Sequence, residues 1–224
     1  MNILAIECTH ASLSAAVSRD GNVSVVFGSE WNRAAETILP LVQQALERSG
    51  TSKEQLDAVA VSSGPGSFTA LRIGMSAAKG VAYGLDIPLL PIPTLSAMAE
   101  AAFPFTSAAV IVPVIPSRKG EYYFTCYRRE VLEEGVSEDE SARGTIGDVV
   151  AAARGLGSDV VLVARRTVEL ESLSEEESVC ILDADFFSAA SILPEALRLA
   201  AEGGGVAPSE AEPDYRQKFE PGQA

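Results

Sequence analysis

Histidine is all but missing from this sequence: His10 is the one imidazole among 224 residues. A catalytic metal centre needs several ligands, and His10, in a turn between expected strands, supplies one. Serine hydrolysis lacks its base as well, because Ser67 has no other imidazole within the chain and no G-x-S-x-G surrounds it. Cys8, Cys126 and Cys180 are odd in number and far apart, which argues against a disulfide framework. Cys8 and Cys126 fall in apolar, strand-like runs, where a free thiol serves as a small hydrophobe. Cations are short too: 17 Lys and Arg face 31 acids, for a net charge of −14. A chain that grips phosphate backbones unaided needs a basic face, so strong direct binding to nucleic acid is not expected. No apolar run reaches the roughly 18 residues of a membrane span, and no basic-then-apolar leader opens the chain. The cytoplasm is the expected compartment.

What is present is ordinary globular composition, 47% hydrophobic and 21% charged, in a length that suits one large domain or two small ones. Strands are expected at 2–7, 13–18 and 23–27, with a hairpin turn at Asp20 and Gly21. A helix capped by Asn32 should run to about Arg48, broken or kinked at Pro40 and ended by Ser49 and Gly50. A strand at 58–61, a helix at 69–84, a strand at 88–92 and a helix at 94–102 follow. Pro104 opens a boundary. Beyond it come strands at 109–115 and 121–128, another acidic, partly exposed strand, and a helix at 146–154. Strands at 160–164 and 179–182 and a helix at 188–202 complete the pattern. The second half echoes the first, which predicts two α/β lobes, 1–104 and 105–224. The acidic runs 130–140 and 169–177 read as solvated loops, and residues 203–205 and the tail after Tyr215 as flexible.

The string SSGPGSFTALRIG at 62–74 carries the most information. An apolar strand feeds Gly64, Pro65 and Gly66, and Ser67 or Thr69 can cap the helix that follows. Strand, glycine turn and helix N-terminus together make a natural anion site, or simply a tight turn with no ligand. The spacing is not a dinucleotide fingerprint, since Thr69 stands where the third glycine belongs. It is not a P-loop either, because Lys79 precedes Gly80 instead of following a glycine. Along the helix, Leu71, Met75, Ala78, Ala82 and Leu85 share one face, and Ala70, Gly74, Ala77, Val81 and Gly84 form an adjacent stripe of small residues. Arg72, Ser76, Lys79 and Tyr83 make the polar face. Two apolar faces suit either a deeply buried helix or one that covers its sheet and also meets a partner.

The string GPGSFTALRIG resembles the signature of the TsaB (YeaZ) family, departing from it at Ala70. The resemblance extends to ILAIECT at 3–9, ILPL at 38–41, SRKGEYY at 117–123 and EPDYR at 212–216, and is poor over 128–207. It implies an α/β fold of two tandem lobes of the actin-like ATPase/hsp70/sugar-kinase type. It implies a scaffold that is not an enzyme on its own, a heterodimer with TsaD joined by TsaE, and a role in tRNA threonylcarbamoyladenosine formation. Threonylcarbamoyl adenylate and metal are then expected on TsaD, with no cofactor here and tRNA met only through the complex. The docking residues it implies are Ala70, Leu71, Gly74, Met75, Ala77, Ala78 and Val81, with Ile38 and Val42 from the preceding helix. The motif turn is Gly64, Pro65, Gly66, Ser67, Thr69 and Arg72. Kinases of this superfamily keep a carboxylate on the first strand, where relatives usually show Asp and this chain has Glu7. Pro116 stands where relatives often have Asp, and Ala34 where most have His. These departures argue against autonomous catalysis and leave Glu7, Glu121 and Arg118 for a structural ion pair. An ATP-dependent small-molecule kinase and a self-associating scaffold unrelated to tRNA remain the alternatives.

Overall fold

The computed structural model describes residues 1–9, 13–28, 33–117, 120–135, 141–165 and 179–216. His10, Asn32, Arg118, the 169–177 run and the tail past 216 lie outside the described residues, so the expectations resting on them end there.

The first half forms β1 (Ile3–Glu7), β2 (Ser14–Arg19), β3 (Asn22–Phe27), α1 (Ala34–Ser49), β4 (Ala58–Gly64), α2 (Phe68–Leu85), β5 (Leu89–Pro93) and α3 (Thr94–Ala101). The strand order is β3-β2-β1-β4-β5, antiparallel through β1 and parallel from β1 to β5. Asp20 and Gly21 both take positive φ, the conformation a two-residue hairpin requires. Pro40 does not interrupt α1. Pro40 and Glu36 lie on the exposed side, where water can serve the carbonyl that proline leaves without a donor. Gly50, with φ of 65°, ends the helix by donating to Leu46 and Glu47 carbonyls.

The second half forms β6 (Val110–Pro116), β7 (Tyr122–Phe124), β8 (Tyr127–Arg128), α4 (Arg129–Glu133), β9 (Ala142–Gly144), α5 (Ile146–Leu156), β10 (Val160–Ala164), β11 (Cys180–Asp183) and α6 (Leu193–Ala201). Its order, β11-β10-β6-β7-β9, repeats that of the first sheet read from β5 to β3. The single strand expected at 121–128 is two short ones, β7 on the end of β6 and β8 on its start. The acidic run after it begins as α4 instead of a strand or loop, and the helix expected at 188–202 opens as a 3-10 turn, Ala189–Ile192.

β1 and β4 are buried along their whole length, so both faces are covered and the strands read as continuous apolar runs. Leu4, Ile6, Val59 and Val61 face α1 and α2, while Val110, Val112 and Leu162 face α5. The remaining faces, Ile3, Ala5, Ala60 and Ile92 of one sheet and Ile111, Ile115 and Val163 of the other, share one core with Leu95, Met98, Phe187, Ile192 and Leu193. The halves exchange cover. α3 packs on β6, whereas α6 and the Ala189–Ile192 turn lie on the first sheet. Arg198 ties α6 to α3 through both oxygens of Glu100, at 2.7 and 2.8 Å. Residue 104 thus lies between two sheets that each keep a helix-covered core on one face and share a core on the other. No helix among the described residues is long and apolar enough to cross a membrane.

Candidate functional site

β1 and β4 run parallel, so Glu7 and Gly64 bring their C-terminal ends together, the place where open α/β sheets gather ligands. Glu7 is fully buried. Its carboxylate accepts from the Thr9 hydroxyl at 2.6 Å, from the Thr9 N–H, and from the Ser62 hydroxyl. The expected pairing of Glu7, Glu121 and Arg118 turns on Arg118, which lies outside the described residues. Among the described residues Glu121 meets Arg143 at 3.4 Å on the neighbouring strand. Pro116, at the matching end of β6, is exposed and brings no charge. Among the described residues no three His, Cys, Asp or Glu converge as metal ligands.

The glycine turn is shaped by this chain's own close approaches. Gly64 has φ of 124°, and a Cβ there would stand 2.3 Å from the carbonyl oxygen of Asp214. A Cβ on Gly66 would stand 2.8 Å from that of Thr9. The Gly64–Pro65 bond is cis. Ser67 occupies the N-cap position of α2, yet neither it nor Thr69 caps the helix by a side-chain hydrogen bond. Arg72, exposed, lies over the Phe68 ring at 5.1 Å.

What fills the turn is the segment 210–216. The Asp214 N–H donates to the Ser63 carbonyl at 2.7 Å, and Lys79 reaches down from α2 to the Ala211 carbonyl at 2.9 Å. The Tyr215 ring leans on Phe68 with centroids 4.7 Å apart, and Tyr123 of the second half donates to the Tyr215 carbonyl at 3.5 Å. EPDYR and GPGSF, at opposite ends of the sequence, are thus one constellation.

The expected docking residues are mostly interior. Ala70, Leu71, Gly74, Met75 and Ala78 of α2, with Ile38 and Val42 of α1, are buried in this chain; only Ala77 and Val81 keep partial exposure. The reason is that α2 has two neighbours in its own chain. One stripe meets β4 and the other meets α1 and Cys8, whose sulfur would lie 2.5 Å from a Cβ on Gly74. The outward face belongs to the stripe read as polar. It carries Phe68 at 52% and Tyr83 at 81% exposure, and α1 exposes Leu39 at 55%. An aromatic at each end of a polar stripe was the available signal for this face; Tyr215 lies in the EPDYR motif, but nothing local ties that motif to α2.

Residues 32–178 match the family model described as TsaD, tRNA N6-adenosine threonylcarbamoyltransferase. The tRNA threonylcarbamoyladenosine biosynthesis protein TsaB of Escherichia coli is 33% identical over 219 residues, covering 96% of this chain and 94% of that protein. Its namesake in Haemophilus influenzae is 34% identical over 152 residues, 68% of this chain and 64% of that one. Among solved structures, a Pseudomonas aeruginosa protein described as similar to peptidase YEAZ superposes with a TM-score of 0.79 at 23% identity. The match covers 96% of this chain and 99% of the other, and at that identity it speaks for the fold alone. With strand order, glycine turn and near full-length likeness in agreement, the chain belongs to the TsaB (YeaZ) family.

Proposed function

We propose that this chain is a non-catalytic scaffold subunit for tRNA threonylcarbamoyladenosine formation, working in the cytoplasm as heterodimer partner of a TsaD-type subunit. In this reading TsaD holds the metal and the threonylcarbamoyl adenylate and performs the transfer. TsaE joins the assembly, and tRNA meets this chain only through the complex. The observation that carries it is the filled glycine turn. A phosphate-binding turn must offer free N–H groups and room for the anion. Here Asp214 stands against Gly64, Thr9 stands against Gly66, and the Glu7 carboxylate accepts from Thr9 and Ser62. The same facts weigh against the kinase alternative. The match of residues 32–178 to the TsaD model supports the pairing, because two subunits of like fold can meet through equivalent helices. The docking face is the outward side of α1 and α2, where Leu39, Phe68 and Tyr83 are exposed.

Reconstitution from purified subunits tests the proposal. Transfer to tRNA should require this chain, the pure chain should turn over no ATP, and Glu7→Gln should leave the rate of the complex unchanged. ATP turnover that follows the pure chain through chromatography and vanishes in Glu7→Gln would sink it in favour of the kinase. A homodimer that TsaD cannot displace would favour the self-associating scaffold.

A further inference from the structure

The segment packed against the glycine turn also presents a ring at the start of α2. Phe68 and Tyr215 come from positions 147 residues apart in the sequence and rest on each other at 4.7 Å. Phe68 remains half exposed although Tyr215 covers one side of it and the Arg72 guanidinium another. Arg72 is exposed and has no carboxylate within ion-pair distance among the described residues, in a chain with 31 acids and 17 bases. Arg216, by contrast, is paired with Asp214. The segment is fastened independently of the rings, by Ser63, Lys79 and Tyr123, so the ring pair is held in place before any partner arrives. Aromatic rings and arginine, pre-ordered and half covered, are the residue types that carry most of the energy in protein interfaces.

We propose that residues 210–216 form a strap that converts the glycine turn into the end of the docking surface. The Phe68–Tyr215 pair is its anchor, and Arg72 meets a carboxylate on the TsaD-type subunit beside an apolar pocket for the rings. This rests on the docking reading above and extends it from the two helices to the C-terminal segment. Tyr123 links the strap to the second half, so the surface is complete only when both halves are assembled.

The test measures the dissociation constant for the purified TsaD-type subunit with full-length variants, alongside thermal melts. Phe68→Ala and Tyr215→Ala should each weaken binding at least tenfold, Tyr215→Phe should restore it, and Arg72→Glu should cost about a hundredfold. Phe68→Ala combined with Tyr215→Ala should lose less than the product of the single losses, since each ring supports the other. Phe68 and Arg72 are exposed, so their variants decide the matter even if Tyr215→Ala lowers the melting temperature. Leu39→Arg on α1 separates the two ideas. If it abolishes binding while Phe68→Ala, Tyr215→Ala and Arg72→Glu stay within threefold of the parent, the strap inference is overturned and the docking reading stands without Phe68. If all four leave affinity untouched, the docking reading itself has failed.

Discussion

Cys8 sits just past β1 against the backbone of α2, and burial, then the charge of Glu7, pushes its thiol well above the usual range. Burial alone pushes Cys126 up to about 11, while Cys180 is exposed. A thiol reagent at pH 8 should therefore label Cys180 first, Cys126 slowly, and Cys8 only after unfolding. Mass spectrometry of the labelled chain checks the order, and early labelling of Cys8 would mean its surroundings open in the native state. The sign of the pH effect follows. Between the ordinary thiol pKa near 8.5 and the raised values, the unfolded chain gives up protons that the native one keeps. Stability should be full below that window and fall as the pH climbs through it, and Cys8→Ala should flatten the decline in alkaline denaturation curves.

At the level of elements, α2 decides how the first half packs. Gly74→Ala would set a methyl 2.5 Å from the Cys8 sulfur, with ordinary contact to Val61. The clash should outweigh the gain in helix propensity of up to about 1 kcal/mol, leaving the variant roughly 1–3 kcal/mol less stable. Cys8→Ala in the same chain should recover most of that loss, and urea titrations of the four proteins complete the cycle. Additive losses would place the strain elsewhere. The periodicity of α2 disclosed two apolar faces but not what covers them. Small residues spaced for close approach look alike whether the neighbour is α1 or another molecule, and in the fold Ala70, Gly74 and Ala78 are buried within the chain. Strands and hairpins were legible because alternation and turn chemistry are local, as at Asp20 and Gly21. The end of the site formed by Tyr215 was not, because the contact joins segments that no short-range pattern links. Pro40 was misleading for the opposite reason: a breaker rule that holds in helix interiors has little force on a solvated face.

For the whole molecule, the exchanged cover between halves sets the expectation. The first sheet has one face closed by α6 and the Ala189–Ile192 turn, both made by the far end of the chain. Residues 1–104 expressed alone should fail to form a stable fold, and the intact chain should unfold in one transition by both far-ultraviolet and near-ultraviolet circular dichroism. A folded 1–104 fragment with native-like hydrogen-exchange protection would contradict the shared core. The charge of the molecule sets another expectation. At −14, the isolated chain should bind tRNA no tighter than about 10⁻⁴ M at physiological salt. A micromolar dissociation constant in a filter assay would overturn that. Synthesis gives the exchange a temporal side. β5 ends at Pro93, and the last turn of α6 at Ala201 leaves the ribosome roughly 5–20 s later at bacterial elongation rates. Throughout that interval the nascent chain carries an apolar sheet face whose cover from α6 has not yet been made, surface of the kind that exposes incomplete chains to aggregation.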